Sequence, residues 1–220
     1  MNKKLVEKTL FILLILVFIF ILYLIIKYDS NIIDKKGYSL ISNYINNTNT
    51  TIAKFFTFLG STLFITILCV LTLFLKKYRI PIISNTLITV GISQALKFIV
   101  RRSRPINIAI IEETGFSFPS GHSMVSAAFY GLIIYLIYKS NLKKHLKILL
   151  MLLFSLIILN IGLSRIYLGV HYTTDVFAGF ILAVIHLILF IELIYKKIEK
   201  RWKTWKNMIL KIVYFMMDII

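Results

Sequence analysis

The sequence predicts an all-α integral membrane protein with six transmembrane helices. Hydrophobic residues make up 59% of the 220-residue chain and charged residues only 16%, whereas a water-soluble domain is about 45–50% apolar and about 25% charged. The apolar residues form long runs, and a helix needs about 20 of them to cross a bilayer. The formal net charge of +17 could indicate a nucleic-acid protein, but in a membrane protein such an excess faces anionic headgroups. We therefore expect no nucleic-acid partner.

Six segments qualify as spans, in the order 9–26, 53–75, 81–100, 122–138, 146–164 and 176–195. The first follows three lysines, as in a signal peptide, but its apolar run is long and no small-residue cleavage site follows it. We expect a retained anchor helix. The third begins at Pro81, a favourable first helical position. Its polar residues, expected to face the bundle interior, are Ser84, Asn85, Ser93 and Gln94.

The basic residues between the spans predict the orientation. Seventeen Lys and Arg lie at the N-terminus, in the second and fourth loops and in the tail, and nine lie on the opposite side. The positive-inside rule then places both termini in the cytoplasm and loops one, three and five outside. We predict a multi-pass protein of the plasma (inner) membrane, with anionic lipid headgroups as partners of its basic cytoplasmic face.

The tail over residues 196–217 has apolar side chains at spacings of three and four among basic ones. They are Ile198, Trp202, Trp205, Ile209, Ile212 and Met216. This pattern is typical of an amphipathic helix on the cytoplasmic leaflet, and a basic stop after the last span explains it equally well. No repeat or linker divides the chain, so residues 1–220 are expected to form a single domain.

Residues suited to chemistry concentrate at three helix ends on the outward face. Lys97 and Arg104 end the third span. Ser120, Gly121 and His122 begin the fourth, and Arg165, His171 and Asp175 lie between the fifth and sixth. Because all three groups lie on the same membrane face, we expect them to converge in one site near the outer headgroups.

These residue types fit a phosphate group. Three fixed cations can bind its oxygens, which guanidinium groups match in bidentate fashion, and the N–H groups of an opening helix favour an anion. Two imidazoles can exchange protons near neutral pH, and Asp175, four residues after His171, can fix its tautomer. The set indicates phosphoryl transfer.

We expect no metal and no other cofactor. The carboxylate cluster of a magnesium site is missing, and the single cysteine cannot build a cysteine cluster. His122, His171 and Asp175 could form a two-histidine, one-carboxylate site, but three neighbouring cations would repel a divalent ion.

Three motifs carry a family resemblance: Lys97-x6-Arg104-Pro105, Pro119-Ser120-Gly121-His122 and Ser164-Arg165-x5-His171-x3-Asp175. In this order they resemble the motifs of the type 2 phosphatidic acid phosphatase family, which shares its active-site design with vanadium haloperoxidases and bacterial acid phosphatases. The resemblance covers about residues 97–179 and implies the roles. His171 would be the nucleophile that forms a phosphohistidine, Asp175 would orient it, and His122 would protonate the leaving oxygen and then activate water. The phosphoryl oxygens would be bound by Lys97, Arg104, Ser120, Gly121 and Arg165.

The resemblance implies a metal-independent membrane hydrolase, a phosphatase acting on a lipid phosphate or diphosphate. Compact bacterial members recycle undecaprenyl diphosphate for cell-wall biogenesis or act on phosphatidylglycerophosphate or phosphatidic acid in phospholipid metabolism, and the residues do not rank these substrates. A lipid phosphotransferase with the same motifs and a non-enzymatic lipid transporter remain alternatives, although charges at one face argue against a transport path. The oligomeric state stays open.

Several polar residues outside the motifs are expected to have no role in the chemistry. For Arg101 and Arg102 we expect headgroup anchoring, although one of them could reach a second phosphate. For His186 we expect a helix–helix hydrogen bond. Cys69, Gln94 and Asn160 are interpreted as structural. The loop from Ile106 to Phe118, with Glu112 and Glu113 at its tip, is expected to contact lipid, as a packed surface segment or as an apolar lid.

Overall fold

The computed structural model describes residues 3–28, 31–105 and 108–217, and within these ranges the secondary structure is helical, with no strand. The helices are α1 Lys3–Lys27, α2 Ile32–Ser42, α3 Asn47–Leu59, α4 Thr62–Leu71, α5 Arg79–Val100, α6 Gly121–Lys139, α7 Lys144–Tyr167, α8 Thr173–Phe190 and α9 Lys196–Met217. A 3₁₀ turn, Thr72–Phe74, extends α4, and a π-helical turn, Ile191–Tyr195, joins α8 to α9. The all-α prediction is confirmed.

Five helices are long and apolar enough to cross a membrane: α1, α5, α6, α7, and α8 continued into α9. The second predicted span is a helix pair, Asn47–Leu59 and Thr62–Phe74, bent by 47°. Ser61 starts the second helix of the pair, because its side chain accepts a hydrogen bond from Phe64 N–H at 3.2 Å. Counted as one span, the bent pair brings the total to the six that the sequence predicts.

Helix α2 lies where the sequence analysis expected only a loop. Asn31 caps it by accepting the N–H groups of Ile33 and Asp34, at 2.9 and 3.1 Å. The Asp34 carboxylate accepts the Asn31 N–H in return, which completes a capping box. The eleven residues of α2 are too few to cross a bilayer. The helix places the carboxylate of Asp34 in the protein interior.

Helix α6 lies at the centre of the bundle, packed against α5, α7 and α8. Its buried side chains include Phe129, Tyr130 and Leu132. Gly179 permits a close approach of α8, since a Cβ there would lie 3.0 Å from the Ser120 carbonyl oxygen. The beginnings of α6 and α8 are thereby held together on one side of the bundle, here called the site side.

A polar contact joins α5, α6 and α8 inside the bundle. The Asn85 amide donates to the Ala128 carbonyl at 3.0 Å, and its Oδ1 lies 3.0 Å from His186 Nε2. The expected helix–helix hydrogen bond of His186 is confirmed. Of the four polar residues predicted to face inward on α5, Asn85 and Ser93 are buried, Ser84 is half-buried and Gln94 is exposed.

Helix α9 covers the predicted tail. The side chains of Trp205, Ile209, Ile212 and Met216, on which the amphipathic pattern depends, lie outside the described part of the chain. The placement of this helix on the cytoplasmic leaflet therefore stays a prediction.

Candidate active site

The three motif segments meet on the site side around a cavity of about 340 Å³. Of the eight predicted site residues, five line it: Lys97, Arg104, Gly121, His122 and His171. The other three, Ser120, Arg165 and Asp175, are fully buried. The end of α5, the start of α6 and the α7–α8 connection thus converge as the sequence analysis expected.

His171 lies in the connection just before α8, and both ring nitrogens have polar neighbours. Nδ1 is 3.3 Å from Ser117 Oγ and 3.5 Å from Asp175 Oδ2, and Nε2 is 3.2 Å from Arg104 Nη1. Burial lowers the pKa of His171 to about 4; Asp175 opposes this change, and the positive charges of Arg165 and Arg104 reinforce it. The imidazole is therefore neutral near pH 7. With Nδ1 protonated toward Asp175, Nε2 carries the lone pair that a nucleophile needs.

Asp175 is the third residue of α8 and is held by several donors. Tyr172 N–H donates to Oδ2 at 3.0 Å, within a capping box that starts the helix. Ser117 Oγ donates to the same oxygen at 2.5 Å, and Arg102 Nη1 donates to Oδ1 at 2.6 Å. The carboxylate is thus fixed with one oxygen toward His171.

Arg102 does not anchor headgroups, and this prediction is wrong. Its side chain is turned inward, with Nη1 on Asp175 and Nη2 on Asp34, at 2.6 and 2.7 Å. Although burial alone would lower the pKa of its guanidinium, the Asp175 and Asp34 carboxylates raise it. Neighbouring Arg101 ends α5 in the left-handed conformation, at φ 52°, and stays exposed. Asp34 and Ser117 stand outside the motifs and are not among the residues predicted for the site.

Ser120 and Gly121 begin α6 but differ in what they present to the cavity. The Ser120 hydroxyl accepts Ser123 N–H at 3.4 Å and Ser123 Oγ–H at 2.9 Å, so it is engaged in capping the helix. Its predicted contact with a phosphate therefore stays a prediction. Gly121 lines the cavity, and a Cβ there would lie 3.8 Å from Lys97 Cε. At this position the backbone comes close to a cation.

His122 lies in the first turn of α6, beside the bend between α3 and α4. A Cβ added at Gly60, the residue at that bend, would come 3.5 Å from His122 Cδ2. Both His122 and Gly60 line the cavity. The imidazole thus stands at the wall where the bent pair meets α6.

Glu113 lies between the two guanidinium groups predicted to bind phosphate. Its carboxylate forms an ion pair with Arg165 Nη2, and Oε2 lies 3.6 Å from Arg104 Nη2. Burial would raise the pKa of this carboxyl, but the charges of Arg165 and Arg104 lower it. Arg165 also bonds Thr57, while its buried Nε has no hydrogen-bond partner. The Glu113 carboxylate therefore occupies the place between Arg104 and Arg165 that was predicted for a phosphate.

The loop carrying Glu113 packs over the site, and its expected contact with lipid stays a prediction. Ile110 N–H donates to the Leu168 carbonyl at 2.9 Å, and Phe118 is fully buried against α1. Arg104 donates to the Thr114 and Gly115 carbonyls, and Lys97 Nζ to that of Phe116 at 2.5 Å. Ile106, at the start of this loop, lies outside the described residues.

In the part of the chain that the structure describes, no three His, Cys, Asp or Glu side chains are grouped to hold a metal ion. Of the residues interpreted as structural, Asn160 bonds its own helix at Leu156 O, and Cys69 contacts Thr86 at 3.6 Å. Gln94 lines the cavity, and its interpretation as structural stays a prediction.

Comparison with known proteins identifies similar sequences and structures. Residues 79–199 match the sequence model of the PAP2 superfamily. The chain is 41% identical over 96 residues to phosphatidylglycerophosphatase B of Bacillus subtilis (strain 168), an alignment that covers 43% of this chain and 47% of that relative. The chain thus matches about half the length of this curated relative.

Two solved structures share the architecture. One is the transmembrane PAP2-type phosphatidylglycerolphosphate phosphatase of Bacillus subtilis, at 27% identity and a TM-score of 0.75, covering 84% of this chain and 96% of that chain. The other is LpxE of Aquifex aeolicus, at 22% identity and a TM-score of 0.64, covering 75% and 98%. The second likeness shows the fold alone.

Proposed function

Because this chain belongs to the PAP2 superfamily, we propose that it is a membrane lipid phosphatase that works through a phosphohistidine intermediate. The observation that carries the proposal is the meeting of His171 and His122 at one cavity that Lys97 and Arg104 also line, with the buried Arg165 next to it through Glu113. Two guanidinium groups that share a carboxylate, those of Arg104 and Arg165, fit an anionic substrate.

In the first step, the phosphate of the substrate takes the place of Glu113 between Arg104 and Arg165, with Lys97 and the Gly121 backbone on its other side. The neutral Nε2 of His171 attacks phosphorus in line, and the P–N bond forms as the bond to the leaving oxygen breaks. His122, which takes up a proton as the anionic phosphate binds beside it, gives that proton to the leaving oxygen, and the lipid alcohol departs. The fixed cations stabilise the charge that spreads over the equatorial oxygens.

In the second step, water replaces the alcohol. His122, now neutral, takes a proton from the water as its oxygen attacks phosphorus and the P–N bond breaks. Inorganic phosphate leaves, and both imidazoles return to their starting states. Ser117 and Asp175, next to Nδ1 at 3.3 and 3.5 Å, stabilise the positive ring of the intermediate.

The cavity favours a substrate whose leaving alcohol carries polar groups near the phosphate. An in-line attack puts the leaving oxygen opposite His171, on the side of His122. There the cavity is lined by Thr62 and Thr66 of α4 and by Ser93 and Gln94 of α5. Ser93 is 1% exposed and its Oγ has no hydrogen-bond partner, so it can bind a hydroxyl of the substrate. The glycerol moiety of phosphatidylglycerophosphate supplies such groups, and we propose this lipid as the preferred substrate.

A lipid phosphotransferase is the second candidate, since a lipid hydroxyl could take the place of water at His122. A lipid transporter is less favoured because the buried charges gather on the site side. The product separates the first two: a phosphatase releases inorganic phosphate, and a transferase leaves the phosphate on a second lipid.

The test is phosphate release by the purified protein in detergent with excess EDTA, from phosphatidylglycerophosphate, undecaprenyl diphosphate and phosphatidic acid. We expect release from all lipids that bind, fastest from phosphatidylglycerophosphate, and inhibition by orthovanadate, which mimics the pentacoordinate transition state. No release from any of the three, or release only after magnesium is added, would contradict the proposal. Equal rates for phosphatidylglycerophosphate and phosphatidic acid would contradict the substrate preference.

We also propose that the site side is extracytoplasmic and that both termini are cytoplasmic, because the basic residues gather on the opposite side. Cys69 is the only cysteine, so a Cys69→Ala background allows single-site labelling. Thr114→Cys should react with a membrane-impermeant maleimide from outside intact cells, and Lys143→Cys only after lysis. The reverse pattern would invert the orientation.

A further inference from the structure

Helix α2 places a buried carboxylate close to the catalytic group. Asp34 is 3% exposed, and burying a charge is costly unless it is paired and hydrogen-bonded. Its Oδ1 accepts Thr174 N–H at 2.9 Å and Thr174 Oγ–H at 2.8 Å, and its Oδ2 accepts Arg102 Nη2–H at 2.7 Å. Asp34 is therefore tied to the first turn of α8, where Asp175 also lies.

Arg102 connects the two carboxylates. It is 4% exposed, and its two terminal nitrogens point to different acids, Nη1 to Asp175 and Nη2 to Asp34. Nη1 also donates to Thr174 Oγ1 at 2.8 Å. The flat face of the guanidinium lies over the Tyr172 ring, with Cζ 3.9 Å from the ring centroid, a favourable cation–π geometry. The plane and both ends of the group are thus fixed.

The charges of Asp34, Arg102 and Asp175 explain why two carboxylates, and not one, suit the stabilisation of a positive His171 ring. Arg102 beside Asp175 alone would form a neutral pair and weaken the attraction between Asp175 and a positive His171 ring. Asp34 adds a second negative charge, so the three side chains together keep a charge of −1. The guanidinium can then hold Asp175 Oδ1 in place while the set still stabilises the phosphohistidine.

We propose that Asp34 and Arg102 are positioning residues that act on His171 through Asp175. Arg102 holds the carboxylate so that Oδ2 faces His171 and Ser117, and Asp34 holds Arg102 and restores the negative charge. Neither side chain touches the cavity that the substrate phosphate would enter. The inference rests on the proposed phosphatase function, because it assigns a role in that reaction.

The experiment compares kcat, KM and orthovanadate affinity of the full-length protein in detergent for the wild type, Asp34→Asn and Arg102→Lys. Asparagine keeps the shape of Asp34 and removes its charge, and lysine keeps a charge but cannot bond both acids at once. We expect kcat to fall about 10–100-fold in each variant, as for residues that orient an active-site ligand, with KM within about threefold. Orthovanadate should bind correspondingly more weakly.

The matched controls are Lys36→Gln, exposed on the same helix as Asp34, and Arg101→Lys, exposed next to Arg102. Both should leave kcat within about twofold. A double-variant cycle gives the decisive readout: in an Asp175→Asn background, Asp34→Asn should lower kcat by less than about threefold, because the route through Asp175 is already lost. If Asp34 had a purely structural role, Asp34→Asn would lower kcat in the Asp175→Asn background by the same factor as in the wild type.

An Asp34→Asn variant with wild-type kcat and orthovanadate affinity would overturn the inference, and so would a loss confined to KM. If Asp34→Asn fails to fold, Arg102→Lys decides by the same criteria. Orthovanadate binding is measured without turnover. A wild type that binds it but hydrolyses none of the three lipids would refute the proposed function, while the variants would still test the positioning role.

Discussion

His171 and His186 are both buried, at 3% and 7% exposure, and both lie within hydrogen-bonding distance of a polar side chain. Their surroundings differ. His186 faces the neutral amide of Asn85, which in turn bonds the Ala128 carbonyl. His171 is within 3.5 Å of Arg104, Ser117 and Asp175 and faces a cavity. Around His186 the polar groups satisfy each other's hydrogen bonds. Around His171 they leave charge and space for a further molecule.

The largest expected effect comes from removing the imidazole ring, and it should differ between His171 and His186. We expect His171→Ala to lower phosphate release at least about 10³-fold, because a nucleophile and its partners act as a unit. His186→Ala should keep activity within about tenfold and lower the free energy of unfolding by about 1–3 kcal/mol, since it removes the partner of the buried Asn85 Oδ1. Initial rates and thermal unfolding in detergent measure both. An active His171→Ala protein would remove the basis of the comparison.

The next effect concerns the proton transfer proposed for His122, at the cavity wall opposite His171. His122→Asn keeps a polar side chain but cannot exchange a proton, so we expect kcat to fall about 10²–10⁴-fold. Single-turnover phosphate release is the measurement. Ser140→Ala, at the other end of α6 where the hydroxyl bonds the Ile137 carbonyl, is the control. A fall below tenfold in His122→Asn would assign the proton transfer to another group.

A smaller effect distinguishes the resting site from the occupied one. Glu113→Gln removes the carboxylate that shares Arg104 and Arg165, so inorganic phosphate and orthovanadate should bind about 3–10-fold more tightly, which corresponds to about 1 kcal/mol. Inhibition constants for both anions measure the change. Glu112→Gln, at the exposed neighbouring position, should alter neither constant. Weaker binding in Glu113→Gln would show that the carboxylate supports the site instead of competing for it.

The last effect is on stability instead of activity, and it depends on pH. The pKa of His171 is about 4 in the folded protein and about 6.5 in an unfolded chain. Between these values the unfolded state binds a proton that the folded state does not, so stability falls as the pH drops from 6.5 toward 4. We expect this fall to be smaller in His171→Gln, by a few degrees in the midpoint of thermal unfolding. Identical pH profiles would show that the ring is not buried as a neutral group.

The spans and the motif residues could be predicted because their signals are local. A run of apolar residues is visible in one stretch of chain, and Lys97, His122 and His171 stand at the ends of such runs. The partners of Asp175 could not be found in this way. Asp34 lies 68 positions from Arg102 and 140 from Thr174, on a short helix without a long apolar run.

Other features of the site could not be predicted for the same physical reason. Ser117 and Glu113 lie in a loop whose isoleucines and phenylalanines favoured contact with lipid, and only the fold shows that this loop closes over the cations. Gln94 was interpreted as structural because a single polar residue in a span usually bonds a neighbouring helix. Its position beside the cavity follows from the packing of α4, α5 and α6 together, which no single segment of the sequence reveals.

The position of Glu113 between Arg104 and Arg165 also affects how the product leaves the site. A carboxylate on a short tether has an effective concentration of about the millimolar range or above, whatever the dilution of the protein. A lipid substrate can displace it because its tails contribute additional binding energy, whereas free inorganic phosphate has none to add. The same side chain that delays the arrival of substrate would thus return as the product departs, and the enzyme should be inhibited only weakly by its own product.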